Sequence, residues 1–414
     1  MSDISLKALS PQSWPFDLEL LPQPAFLVGG AVRDALLGRS SEYLDLDFVV
    51  LKDSVKIARK LASHYNAGFV LLDRERQIAR VVFPSGTVDI AQAEGDDLLI
   101  DLYRRDFRLN AIAYNPFTKE IIDPLGGQQD LETGLINMVS AQNLRDDPLR
   151  LLRAYRQGAQ LGFAIASDTL TTIQQLAPFL REIAVERIRT ELGYLLINPQ
   201  GVNWLIQAWQ DGLIDFLFPS ANLRFSQLRE IEGTIKLLSK TWSTLGAEFS
   251  RYLRETIKMP LFALAKLALL ASSDPVVAET ELHLLKYSNL EIKGAIAIIK
   301  SLPKLQTAAL QMSVREQYFL FQEVRNVFPA LAISAIVSGV SLAEITPYIE
   351  RYLNPEDQIA HPTPLISGND LMEKLNLPKG PQIGEMLLEI QLARIEGKIT
   401  TPEEALDFFV IGNR

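Results

Sequence analysis

The sequence predicts an α+β chain, in which a head of strands and helices is followed by a remainder built of helices alone. Three observations predict this. Short apolar runs bounded by turn residues alternate with helical stretches from residue 25 to about residue 137. From Asn143 onward apolar residues recur at helical spacing, as Leu149, Leu152, Tyr155 and Ala159 do, and strand-like runs nearly vanish. A proline-containing break at 354–364 then sets off a last helical segment, 365–414.

In chain order, residues 1–24 are rich in proline and weakly patterned, which predicts an arm. Phe26, Leu27 and Val28 form a strand-like run that meets a Gly29-Gly30 turn. A helical pattern follows from Ala31 to Leu37 and stops at Gly38. The next apolar run carries Asp45 and Asp47 on either side of Leu46. A helix is predicted over 53–64 and strands over 68–73, 79–83 and 87–91, with a hairpin turn at Ser85-Gly86. Segments 108–114 and 121–123 complete a head that reads as α/β or α+β. Helices are predicted over 168–178, 184–197, 201–215, 225–239, 260–271, 290–301, 314–327 and 329–337.

Composition narrows the function. A chain of 414 residues exceeds one simple core, so about two to four domains are expected. With no cysteine, disulfides and Cys-based zinc sites are excluded, which suits a reducing compartment. The N-terminal segment lacks the pattern of a secretory signal. No stretch reads as long and apolar enough to span a membrane, because the run 260–270 is short and contains Lys266. A net charge of −9 means that any RNA site must be a local basic patch. His64, His283 and His361 are scattered, which argues against a histidine-based metal hydrolase, and no P-loop is present.

The chemistry concentrates in a few constellations. Residues i and i+2 of a strand point the same way, so Asp45 and Asp47 share one face. Two like charges that close repel unless neutralised, and a divalent cation is the usual answer. The two glycines leave backbone N–H groups bare at a helix start, where phosphate binds readily. A phosphate cradle beside a metal-binding carboxylate pair is the equipment for nucleotidyl transfer. Arg33 is expected on the triphosphate, and Asp34 as a brace at the helix end. Asp89 faces away from Val88 and Ile90, which point into the core. As a third carboxylate it would complete the site and help deprotonate an attacking hydroxyl; the plainer reading is an exposed strand residue. Arg104, Arg105, Asp106 and Asn110 lie against an apolar turn and read as ligand contacts or as a charged loop.

In DDPLR, Pro148 suits the first turn of a helix and Asp147 its N-cap. A sharper reading pairs Asp147 with Arg150, ahead of Arg153 and Arg156. Cytosine and adenine each offer an amino donor beside a ring-nitrogen acceptor, which complements a carboxylate and a guanidinium. Uracil and guanine present a carbonyl and an N–H there, and would leave buried partners unpaired. The run Glu186-Arg187-Ile188-Arg189-Thr190-Glu191 reads as an ion-paired helix bracing the one before it.

Five motifs follow in order: LVGGAVRDALLGR with DLD, RRDFRLNAIAYN, DPLGGQQDL, DDPLRLLRAYRQGAQLGF and VERIRTEL. With them, the chain from residue 26 to about 196 resembles the class II tRNA nucleotidyltransferase and bacterial poly(A) polymerase family of the polymerase-β superfamily. After the arm (1–24), the resemblance implies a polymerase-β-like head with a mixed sheet (25–142), a base-recognising neck (143–200), a body (201–353) and a tail (365–414) that either binds tRNA or serves as ordinary helical packing. It implies that Asp45 and Asp47 hold two Mg2+ ions and that Asp89 is the third carboxylate. Gly29, Gly30 and Arg33 would meet the triphosphate, and Arg105, Asp106 and Asn110 the ribose and phosphate. Asp147 and Arg150 would read the base, with Arg153 and Arg156 alongside. The implied reaction is template-free attack of the tRNA 3′-hydroxyl on the α-phosphate of CTP or ATP in the cytoplasm, away from membranes.

Two departures matter. Asp146 stands where the family usually has Glu, which bears on how Arg150 is oriented. Only residues 90–103 separate Asp89 from Arg104, where CCA-adding members carry a longer flexible loop understood to switch the pocket from CTP to ATP. The short segment resembles the CC-adding subgroup, which leaves the terminal A to a separate enzyme. CC addition is therefore expected, with full CCA addition as the alternative. A poly(A) polymerase should carry a more basic C-terminal region, and a silent RNA-binding homologue should have lost a carboxylate.

Overall fold

The computed structural model describes residues 7–39, 41–255 and 257–411, so parts of the expected arm (1–6) and tail (412–414) lie outside the described residues. The chain forms two compact units, Met1–Glu191 with Gln207–Leu213, and Leu192–Ile206 with Ile214–Arg414.

The first unit is built on β1 (Ala25–Val28), α1 (Gly30–Leu36), β2 (Leu44–Val50), α2 (Ser54–Tyr65), β3 (Gly68–Asp73), β4 (Ile78–Phe83), β5 (Gly86–Gln92), α3 (Leu98–Tyr103), β6 (Ala113–Asn115) and β7 (Glu120–Ile122). The seven strands form one sheet in the order β3-β4-β5-β2-β1-β6-β7. It is mixed: β2 and β5 run parallel and the other pairs antiparallel. A parallel pair needs a crossover, and α2 with the β3–β4 hairpin supplies it. Alternation sends Leu46 and Phe48 to one face, with Val88, Ile90, Val81 and Phe83, all buried. Asp45, Asp47 and Asp89 face the other way.

The expected arm packs on the apolar face. Trp14 and Phe16 meet Phe48 edge-on, with ring centroids 5.1 and 5.8 Å away, and Phe16 stacks on Phe83. The stretch 108–114 is a 3₁₀ turn over Arg108–Asn110 followed by β6.

Beyond the sheet come α4 (Gly127–Thr133), β8 (Leu135–Ile136), α5 (Ala141–Asp146), α6 (Leu149–Leu161), β9 (Ala164–Ile165), α7 (Ser167–Leu176), α8 (Val185–Ile197) and α9 (Gly201–Gln210). Strands β8 and β9 make a small parallel pair that the helical pattern did not announce. Such two-residue strands are too short to carry a period-two signal.

The second unit contains α10 (Phe225–Thr241), α11 (Ser243–Phe249), the antiparallel pair β10 (Tyr252–Arg254) and β11 (Ile257–Pro260), then α12 (Leu261–Leu270), α13 (Pro275–Leu284), α14 (Asn289–Ala308), α15 (Val314–Val324), α16 (Phe328–Val337), α17 (Leu342–Leu353), α18 (Gly368–Leu375), α19 (Pro381–Ile395) and α20 (Pro402–Ile411). Helices α10, α12, α14 and α16 pack on one another. Helix α16 is buried almost throughout, as an all-round apolar helix must be. Helices α14, α15, α17 and α18 each start on a serine whose side chain caps the third helical residue, while Glu291, Glu316, Glu344 or Asp370 bonds back.

One expectation is corrected here. The stretch Val314–Val337 does have the length and apolarity of a membrane span. It is divided at Arg325, where φ is 42°, and most of its apolar side chains are core residues of this unit, Phe319 being exposed. The sequence reading missed it because charged residues of α15 lie at the solvent face beside the apolar α16.

Candidate active site

The open face of the sheet and the helices after it line a cleft of about 750 Å3 within the first unit. It brings together nearly all the residues singled out from sequence: Gly29, Gly30, Arg33, Asp45, Asp47, Arg105, Asp106, Asn110, Asp147, Arg150, Arg153 and Arg156 line it. Asp89 does not. The sequence reading missed Arg39, Tyr43, Arg76 and Gln157, and took Arg187 only as a brace; all five also line the cleft. Gln157 could have been found, since it follows Arg150 and Arg153 on the same helical face. Arg39, Tyr43 and Arg76 sit in loops or turns, where no periodicity marks them. In an acidic protein, this concentration of arginine makes the cleft a local basic patch.

Backbone geometry opens the site. Gly29, between β1 and α1, has φ 70° and ψ −135°, a conformation side-chain-bearing residues avoid. A Cβ there would lie 3.3 Å from the Arg105 guanidinium and 3.5 Å from the Asp47 carboxylate. Gly86 lets β5 begin tightly against β2, since a Cβ would come within 2.4 Å of the Leu44 carbonyl.

On the sheet, Asp47 stands opposite Asp89 and Asp45 opposite Thr87 in the parallel register. Burial, with the nearby Asp89 and Asp45 carboxylates, pushes Asp47 up to about 6. The Thr87 hydroxyl donates to Asp45. Asp89 is gripped by Arg80 of β4, with both oxygens taken at 2.7 and 2.8 Å. Among the described residues no group of three acidic or histidine side chains forms a ready metal cage. The fit to a metal therefore rests on Asp45 and Asp47. Their all-oxygen donor set and mutual repulsion suit magnesium, which takes one or two carboxylates and completes its shell with water and phosphate oxygens.

A polar chain runs from α1 to α6. Arg33 pairs with Asp34 at 2.8 Å and donates to the Asn110 side-chain oxygen at 2.9 Å. The Asn110 amide donates to Asp106 at 2.9 Å and to Gln157 at 3.1 Å. Arg153 pairs with the other Asp106 oxygen at 2.8 Å. Burial pushes the Asp106 carboxyl up, but Arg153, Asn110 and the Phe107 N–H outweigh it and hold the group below its ordinary value. Arg105 is held by Asp101, four residues earlier, at 2.9 Å.

The start of α6 resolves the departure at Asp146. Its carboxylate, at the end of α5, accepts from Gln142 at 2.7 Å and acts on Arg150 through its charge. Arg150 instead donates to the backbone oxygens of Arg104 and Asn143, at 2.8 and 3.0 Å. Asp147 accepts from Arg187 of α8, and Arg156 pairs with Glu191 of the same helix at 2.8 Å. Helix α8 is thus ion-paired, as the charged run predicted, but to α6 and the turn before it, with α7 lying between them in the chain.

Comparison with known proteins agrees with this architecture. Residues 25–137 match the poly A polymerase head domain family, residues 162–223 the probable RNA and SrmB-binding site of polymerase A, and residues 261–410 a putative tRNA nucleotidyltransferase domain 2. A CC-adding tRNA nucleotidyltransferase of Synechocystis sp. is 48% identical over 96% of this chain and 95% of its own length. An A-adding tRNA nucleotidyltransferase of Deinococcus radiodurans is 32% identical over 94% and 95%. Among solved structures, a CCA-adding enzyme in complex with ATP superposes with a TM-score of 0.71 at 24% identity, over 94% of this chain and 92% of its own, a likeness of fold. With nearly half its residues shared along almost the whole length of one such enzyme, this chain belongs to the tRNA nucleotidyltransferase family and is a nucleotidyltransferase.

Proposed function

We propose that this enzyme adds two cytidylates to the 3′ end of tRNA without a nucleic-acid template and stops there. The observation that carries this reading is the closed connection between the sheet and the second half of the head. Strand β5 ends at Gln92, a 3₁₀ turn spans Glu94–Asp96, and Asp97 caps α3 by accepting the Leu99 N–H at 2.8 Å. Leu98 and Leu102 are buried with Phe26, Val28 and Val49. A segment this short, anchored to the core at Ala93, Leu98 and Leu102, lacks the length of a loop that could remodel the pocket for ATP. CC-adding relatives at 48% and 31% identity support the same reading.

In this reading Asp45 and Asp47 hold Mg2+, which supplies charge neutralisation at the α-phosphate and activation of the attacking 3′-hydroxyl. Gly29, Gly30 and Arg33 take the triphosphate. Arg105, Asp106 and Asn110 border the ribose and phosphate, with Asp106 and Asn110 fixed by the polar chain. Asp147 and Arg150 read the amino and ring-nitrogen edge of cytosine, while Arg153 and Arg156 set the cationic wall behind them. Asp89 lies beside Asp47 on the sheet with its charge matched by Arg80.

The test is direct. A tRNA transcript ending before CCA is incubated with magnesium and CTP, ATP or both, and the product mass is read. A product of two added cytidylates, even with ATP present, is expected. A complete CCA end would replace this reading with full CCA addition.

A further inference from the structure

Three charged residues stand in a row across three neighbouring strands. Arg80 of β4 is opposite Asp89 of β5, and Asp89 is opposite Asp47 of β2. Residues opposed in this way project to the same face. The Arg80 guanidinium forms a two-point fork on Asp89, Nε to Oδ1 at 2.7 Å and Nη2 to Oδ2 at 2.8 Å. Asp89 thereby spends a lone pair on each oxygen and has its charge matched. Asp45 and Asp47 line the cleft, whereas Asp89 does not.

We propose that Arg80 is a positioning residue that withholds Asp89 from the cation pair, so that Asp45 and Asp47 alone set the divalent-cation affinity of the nucleotide-free cleft. This rests on the assignment of those two as the cation-holding pair. Two carboxylates make a weak all-protein site that is completed by oxygens from elsewhere. A third ionised carboxylate, released from its arginine, would add both charge and donors. Arg80 thus favours a cation that arrives with the nucleotide's phosphates over one bound ahead of them.

The probe is Mn2+, titrated into the full chain without nucleotide, with free ion read by electron paramagnetic resonance. Arg80→Gln should bind Mn2+ about tenfold more tightly than the parent, since releasing one charged ligand is worth on the order of 1.4 kcal/mol. Adding Asp89→Asn to Arg80→Gln should return the affinity to the parent value. Arg80→Lys keeps the charge but not the fork and should fall between. A purely structural role for Arg80 would instead weaken binding or leave it unchanged. The inference is overturned if Arg80→Gln, melting like the parent, binds Mn2+ no more tightly while Asp47→Asn abolishes binding. Should Arg80→Gln fail to fold, Arg80→Lys decides by the same comparison. If Asp47→Asn leaves Mn2+ binding intact, the cation pair itself is misassigned and the inference falls with it.

Discussion

Asp147 is held by Arg187 and not by Arg150. The Arg187 guanidinium reaches both Asp147 oxygens, at 2.9 and 3.2 Å, from a helix that begins nearly forty residues later. Arg150, in the first turn of α6 just after Asp147, is anchored by two backbone carbonyls. The proposed base-reading pair is thus oriented by two separate supports.

Removing the first support should therefore loosen base recognition without unfolding the head. Arg187 is half exposed, so its pair with Asp147 contributes about 1–2 kcal/mol. Arg187→Ala should lower kcat/KM for CTP by about 5- to 30-fold. Steady-state kinetics with CTP and UTP would check it; unchanged CTP kinetics would remove Arg187 from the site.

The carboxylate pair makes a stronger prediction. In the proposed reading, Asp47→Ala should reduce CMP transfer by at least about 1000-fold, because it would remove both a cation ligand and the charge it carries. Chelation with EDTA should abolish transfer in the parent, and excess Mg2+ should restore it. Transfer by Asp47→Ala at the parent rate would show that Asp47 holds no catalytic metal.

Asp106 gives a pH signature. Its folded-state carboxyl lies below the ordinary value of 3.8, so it contributes stability above that value and loses it as pH falls through the folded value. Asp106→Asn leaves Arg153 unmatched, at a cost of about 2–3 kcal/mol near neutral pH after allowing for Arg153's partial exposure. Urea unfolding of both proteins should show that gap at pH 7 and see it shrink below pH 3.8, where the parent's own carboxyl protonates. A gap independent of pH would contradict the ion pair.

Lys266 tests the second unit. Its side chain is fully buried in α12, and its ammonium meets Glu232 at 2.6 Å and the backbone oxygens of Leu196 and Asn198 at 3.0 and 3.2 Å. Lys266→Met should destabilise the protein by about 3–5 kcal/mol, since it strands a carboxylate and two carbonyls. A thermal melt should show a clearly lower Tm.

Much of this was legible in the chain. Strand β1, the Gly29 turn and the Asp45–Asp47 alternation were readable because each depends on local periods and on backbone conformations that favour glycine. The helical spacing of α6 was readable too, although Pro148 and not Asp147 is its N-cap. Helices α3, α4 and α13 were not resolved by pattern. Two of these are a turn or two long, and α13 carries an almost even spread of apolar residues, so one-dimensional periodicity is weak.

The sequence by itself determined which residues could meet a cation, a triphosphate and a base edge, because residue type sets charge and hydrogen-bonding direction. Only the tertiary structure decided their partners. Strand register placed Arg80 on Asp89, the packing of α8 on α6 gave Asp147 to Arg187, and burial joined Asp106 to Arg153 and Asn110. Apart from the local Asp106–Asn110 bond, these pairings connect residues nine to forty-seven positions apart. No local period encodes that separation; sheet order and helix packing do.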